Sequence, residues 1–126
     1  MEAITHTILI VDDDAMYREL AARTLRRHRY RVIEANNWVE ANRALREPVD
    51  LVLLDLHMRS VDGDQIAPVI RKHHPDIRLL LISADDTHVL QRLTRDDTFD
   101  GYVSKNGGLK LLVESVQQAL TPGKAG

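Results

Sequence analysis

Residues 50–58 read DLVLLDLHM, and this stretch decides the fold. Leu51, Val52, Leu53 and Leu54 run between two aspartates without a polar break. An apolar run that short and continuous fits a strand covered on both faces, as strands are in parallel sheets. Working outward, residues 7–11 (TILIV) and 78–82 (RLLLI) repeat the pattern, and 31–34 (RVIE) and 101–104 (GYVS) give shorter versions. With 50–54, that makes five predicted strands.

Helical spacing fills the intervals. Met16, Leu20, Ala21 and Leu25 fall on one face, and Trp38, Ala41, Ala44 and Leu45 on a weaker one. Ile66, Val69 and Ile70 make a third face, and Val89, Leu90 and Leu93 a fourth. Leu109, Leu112, Val113, Val116 and Leu120 make the last. Five βα units in series predict a doubly wound α/β fold, a (βα)5 parallel sheet with helices on both faces.

Composition agrees with one such unit. Of 126 residues 44% are apolar, enough to cover a five-stranded sheet without disulfides or a structural metal. Cysteine is absent, which excludes thiol catalysis and Cys-ligated metal. Seventeen basic and nineteen acidic side chains give a net charge of −2, and aromatics are only 4%. Both argue against direct nucleic-acid binding by this domain. No apolar run is long enough for a membrane span, and the first residues lack a signal-peptide pattern, so a cytoplasmic chain is expected.

In a doubly wound sheet the site lies outside the carboxyl ends of the strands. Those ends carry Asp12 and Asp13, then Asp55, Ser83 and Lys105. Two carboxylates about 4 Å apart repel by on the order of 4 kcal/mol at an effective dielectric near 20. Such a cluster needs protons, a cation or both. The donors are all oxygens, so a hard cation, Mg2+, fits best. Carboxylates, Mg2+, a lysine and a hydroxyl are the parts for moving a phosphoryl group onto an aspartate.

The blocks ILIVDD (8–13), LVLLDLHM (51–58), Asp62-Gly63, Ile82-Ser83-Ala84 and GYVSK (101–105) resemble, in order and spacing, the receiver domain of bacterial two-component response regulators. The resemblance covers nearly the whole chain, with 1–120 as the receiver and 121–126 as a tail or the start of a linker. It implies a flavodoxin-like strand order, 2-1-3-4-5. It also implies Asp55 as phosphoacceptor, and Mg2+ held by Asp12, Asp13, Asp55 and the backbone carbonyl of His57. Ser83 and Lys105 would contact phosphoryl oxygens, and Tyr102 would be an aromatic switch that follows Ser83. A sensor histidine kinase or phosphotransfer protein would supply the phosphoryl group. An effector domain or downstream protein would read the switched helix-4/strand-5/helix-5 face, which could also form a homodimer. Output is expected beyond Gly126 or on another molecule.

Blander readings compete at single positions. Asp14 is expected as a helix cap, and Ser83 alone reads as a turn residue. Tyr102 alone reads as a packing aromatic and Lys105 as a solvated charge. His73-His74 is expected at the end of the third helix, and the arginines at 18, 23, 26, 27, 29 and 31 on a solvated face. A binding module that is never phosphorylated would need none of the acidic set. An aspartate-based phosphatase would need an acid two residues after its nucleophile, where this chain has His57. Three departures from the family pattern stand out: Arg59 and Asn106 replace common prolines, and Thr98-Phe99 replaces Gly-Ala. Arg59 is expected to loosen its loop, and Phe99 to disturb the output face. His57 and Asp85 are expected to tune phosphoryl lifetime.

Overall fold

In a computed structural model that describes residues 5–59 and 61–121, the apolar runs form strands β1 (Thr7–Val11), β2 (Arg31–Ala35), β3 (Leu51–Asp55), β4 (Arg78–Ser83) and β5 (Gly101–Ser104). Between and after them lie α1 (Ala15–Arg27), α2 (Trp38–Ala44), α3 (Gly63–His73), α4 (Thr87–Leu93) and α5 (Gly108–Leu120). All four strand pairings are parallel, in the order β2-β1-β3-β4-β5. This is the expected order 2-1-3-4-5. Beyond Thr121, the expected tail lies outside the described residues.

The central strands β1 and β3 are buried at every position because the sheet has two covered faces, while the edge strand β2 keeps Arg31 exposed and Glu34 half-buried. Ile8, Ile10, Leu51, Leu53, Leu80 and Ile82 pack with Ala21, Ala22 and Leu25 of α1 and Leu112, Val113 and Val116 of α5. The alternate residues Leu9, Val11, Val52, Leu54, Leu79 and Leu81 pack with Ala41 of α2, Ile66, Ala67 and Ile70 of α3 and Leu90 of α4. At roughly 25 cal/mol per Å² of apolar surface buried, these two layers are the main source of stability.

Two helix faces differ from expectation. Met16 and Leu20 are exposed (74% and 45%), and the buried stripe of α1 is Ala21, Ala22 and Leu25. The stripe continues back one turn through Arg18, whose side chain is only 13% exposed. The guanidinium donates to the carbonyl of Asp12 at 2.7 Å and to Glu34 Oε1 at 3.2 Å. A polar residue therefore occupies an inward position. On α3, Val69 is 45% exposed while Ala67 is buried, because the stripe runs through 66, 67 and 70.

Strands β3 and β4 each extend one residue further than expected, so Asp55 and Ser83 end their strands rather than follow them. The ladder fixes their neighbours. Val11 pairs with Leu54, Asp55 with Ile82, and Ser83 with Ser104. Asp12, Asp55, Ser83 and Lys105 thus come to one edge through backbone register alone. The strand order reverses between β1 and β3, the point where such sheets open a crevice.

Phe99 is buried (6%) and belongs to the core layer under α2, α3 and α4. Its loop is fastened from α3. Arg71 donates to Thr98 O at 3.1 and 2.9 Å, to Ile77 O at 2.7 Å, to Pro75 O at 3.0 Å and to Asp100 Oδ2 at 2.9 Å. The bulk of Phe99 is absorbed by the core.

Candidate phosphoacceptor site

Asp12 is fully buried and Asp55 is 4% exposed. Asp12, Asp13 and Asp55 each present a carboxylate oxygen within 4.8 Å of the other two. Lys105 bridges two of them, its Nζ 2.7 Å from Asp12 Oδ2 and 3.2 Å from Asp55 Oδ1. Burial, then the charge of Asp12, push the Asp55 carboxyl up from its ordinary 3.8 to about 7, against the pull of Lys105. Burial by itself would lower the Lys105 ammonium, but the hydrogen bond to Asp12 and the charge of Asp55 outweigh it and raise it.

Backbone groups hold the loop after β1. Asp14 N donates to Asp12 Oδ1 at 2.9 Å, and Asp14 caps α1 by accepting from Met16 N at 3.1 Å and Tyr17 N at 3.3 Å. Asp14 is the helix cap that its position suggested. Asp13 Oδ2 accepts from Arg59 N at 3.0 Å. Proline has no N–H, so Arg59 makes a bond from the loop after β3 to Asp13 that the commoner residue could not make.

Gly63 opens α3 directly against Asp55. Its N–H donates to Leu56 O at 2.7 Å, and a Cβ added there would collide with the Asp55 carbonyl oxygen. The glycine of the Asp62-Gly63 pair has a steric reason to be there.

Ser83 is buried (1%), and its Oγ accepts from Asp85 N at 3.0 Å, the geometry of a turn residue. Tyr102 is half-buried against the core, with its hydroxyl accepting from Gln91 Nε2 of α4 at 3.2 Å. Asn106 Nδ2 donates to Ala84 O at 3.0 Å, and the Lys105–Asn106 bond is trans. His57 carries its ring to Asp85 rather than to the acidic cluster. Sequence reasoning passed over Tyr17, whose ring lies under Lys105 with Nζ 4.7 Å from its centroid. The available signal was its place one helical turn after Asp13.

The donor set suits a hard divalent cation. Three carboxylates are gathered and no nitrogen or sulfur ligand accompanies them among the described residues. Fold and pocket together define a doubly wound α/β domain with a lysine-bridged acidic site at its switch point. Residues 8–117 match the model of the response regulator receiver domain, and the chain belongs to that family.

Among curated proteins, Sensor kinase CckA of Brucella abortus is 32% identical over 117 residues, spanning 90% of this chain and 12% of that protein. Response regulator MprA of Mycobacterium leprae is 32% identical over 114 residues, spanning 90% of this chain and 50% of that protein. The chain thus spans half or less of the length of each. Among solved structures, response regulator protein TrrA of Thermotoga maritima, in complex with Mg(2+)-BeF, is 31% identical with a TM-score of 0.82. That match covers 92% of this chain and 100% of the other. The chain is thus a receiver domain related to the phosphoacceptor domains of two-component systems. Among the described residues no helix is long and apolar enough to cross a membrane.

Proposed function

We propose that Asp55 accepts a phosphoryl group from a phosphohistidine of a sensor histidine kinase or phosphotransfer protein. A P–N bond breaks, an Asp55 carboxylate O–P bond forms, and the leaving imidazole nitrogen takes up a proton from water. The observation that carries this reading is the Lys105 ammonium seated between Asp12 and Asp55, 2.7 and 3.2 Å from their oxygens. It places a fixed positive charge where phosphoryl oxygens would gather charge.

Asp12, Asp13, Asp55 and the backbone carbonyl of His57 would hold Mg2+. That ion would neutralise charge on the transferring group. Lys105 orients the acceptor carboxylate, and the buried Ser83 hydroxyl, which accepts from Asp85 N, donates its own hydrogen to a phosphoryl oxygen. Tyr102 then leaves Gln91 and follows Ser83 inward, altering the α4–β5–α5 face. A downstream protein, or an effector domain beyond residues 1–120, would read that face, and a homodimer could form through it. The site chemistry extends to self-phosphorylation and autodephosphorylation, with no turnover of other substrates, and the setting is cytoplasmic.

The intact acidic set with its lysine favours this over a module that only binds, and His57 in place of an acid disfavours a phosphatase. The test is intact-mass analysis after incubation with acetyl phosphate. One phosphate should be added with Mg2+ and none with a chelator or in Asp55→Ala. Equal labelling of Asp55→Ala would overturn the assignment.

A further inference from the structure

The Lys105 ammonium has three neighbours: Asp12 and Asp55, 2.7 and 3.2 Å from Nζ, and the Tyr17 ring, whose centroid lies 4.7 Å from Nζ. The lysine side chain is 15% exposed, so this contact is mostly shielded from water. A lysine has a flexible four-carbon stem, so a further contact at the ammonium narrows the positions it can take between the two carboxylates. An aromatic face attracts an ammonium through its quadrupole, most strongly when both are desolvated.

The hydroxyl of Tyr17 is buried and makes no hydrogen bond within the protein. A buried hydroxyl without a partner is unfavourable, so the side chain's use here lies in its ring. Burial, then the charges of Asp12 and Asp55, push the phenol up from its ordinary 10.0 to about 12, so the ring beside Lys105 is neutral. The ring's position is tied to the site as well. Tyr17 N bonds Asp14 Oδ1 at 3.3 Å, and Asp14 N bonds Asp12 Oδ1 at 2.9 Å.

We propose that Tyr17 is a positioning residue for phosphoryl transfer at Asp55, its ring seating the Lys105 ammonium between Asp12 and Asp55. This rests on Asp55 being the acceptor, but its structural half can be tested without any transfer. In NMR spectra the Lys105 ε-methylene protons should be shifted upfield by the ring in the wild type and in Tyr17→Phe. In Tyr17→Leu they should return toward ordinary lysine values. With acetyl phosphate and saturating Mg2+, Tyr17→Leu should label about threefold to thirtyfold more slowly, the weight of a largely desolvated cation–π contact. Tyr17→Phe should stay nearer the wild type.

If Tyr17→Leu misfolds, stepwise fluorination of a phenylalanine placed at position 17 keeps the shape and weakens the quadrupole. Labelling should fall with each fluorine. Wild-type labelling by Tyr17→Leu, a flat fluorination series, or a loss in Tyr17→Phe equal to that in Tyr17→Leu would each overturn the proposal. Failure of the Asp55 assignment would show separately, as labelling that survives Asp55→Ala.

Discussion

His57 Nε2 lies 2.5 Å from Asp85 Oδ2, joining the loop after β3 to the loop after β4. The hydrogen bond to Asp85 is the main reason the His57 imidazolium is held above its ordinary 6.5. Both side chains are partly solvated, 62% and 36% exposed, so water screens most of the pair's contribution to stability. Its sign is fixed nonetheless. A raised histidine stabilises below pH 6.5, and that contribution is lost as pH rises through the folded value. NMR titration of His57 in Asp85→Asn should show the midpoint moving down toward 6.5, and an unchanged midpoint would contradict the pairing.

Raising Asp55 has a comparable consequence. With its carboxyl moved from 3.8 to about 7, the folded state holds a proton that the unfolded chain has released. In metal-free solution this group's contribution is therefore fully present below pH 3.8 and is lost as pH rises toward about 7. Mg2+ should act oppositely, adding about 2.7 kcal/mol at a hundred times its dissociation constant. Urea denaturation at neutral pH should show that increment, and Asp13→Ala should reduce it. Toward pH 5 the proton on Asp55 competes and the increment should shrink. An increment that does not change with pH would mean the ion binds elsewhere.

Gly63→Ala tests how closely α3 packs on the acceptor. Alanine in a helix normally stabilises by up to about 1 kcal/mol over glycine. Here its Cβ meets the Asp55 carbonyl oxygen, backbone that cannot swing aside. We expect a net loss of roughly 1–3 kcal/mol by urea denaturation. A gain would show that the helix start is freer than the packing indicates.

Arg71 ties the α3–β4 loop, through the carbonyls of Pro75 and Ile77, to the α4–β5 loop, through the carbonyl of Thr98 and the carboxylate of Asp100. Arg71→Ala leaves partly buried acceptors without their donor and should cost about 2–4 kcal/mol in chemical denaturation. Arg71→Lys should recover little, since an ammonium cannot span the fork that a guanidinium fills. Full recovery would reduce the network to a single charge.

Much of this was legible in the sequence because a parallel sheet marks its strands strongly. Runs such as 8–11 and 51–54 are apolar on both faces, and each ends at the edge where Asp12 or Asp55 stands. Helix faces were less legible. On α1 the buried stripe includes Arg18, so hydrophobicity alone pointed to Met16 and Leu20, which are exposed. The contacts between loops carried no local signal at all. Arg59 to Asp13, His57 to Asp85 and Asn106 to Ala84 join residues 46, 28 and 22 positions apart. The seat of Lys105 on Tyr17 was hidden for the same reason.

Chemical mapping of the phosphoryl group addresses the central claim most directly. After incubation with acetyl phosphate and Mg2+, borohydride reduces an aspartyl phosphate to homoserine, which peptide mass spectrometry locates. Homoserine at position 55 and at no other aspartate is the expected result. Homoserine at Asp12 or Asp13, or at no position under conditions where the protein is folded and binds Mg2+, would contradict it.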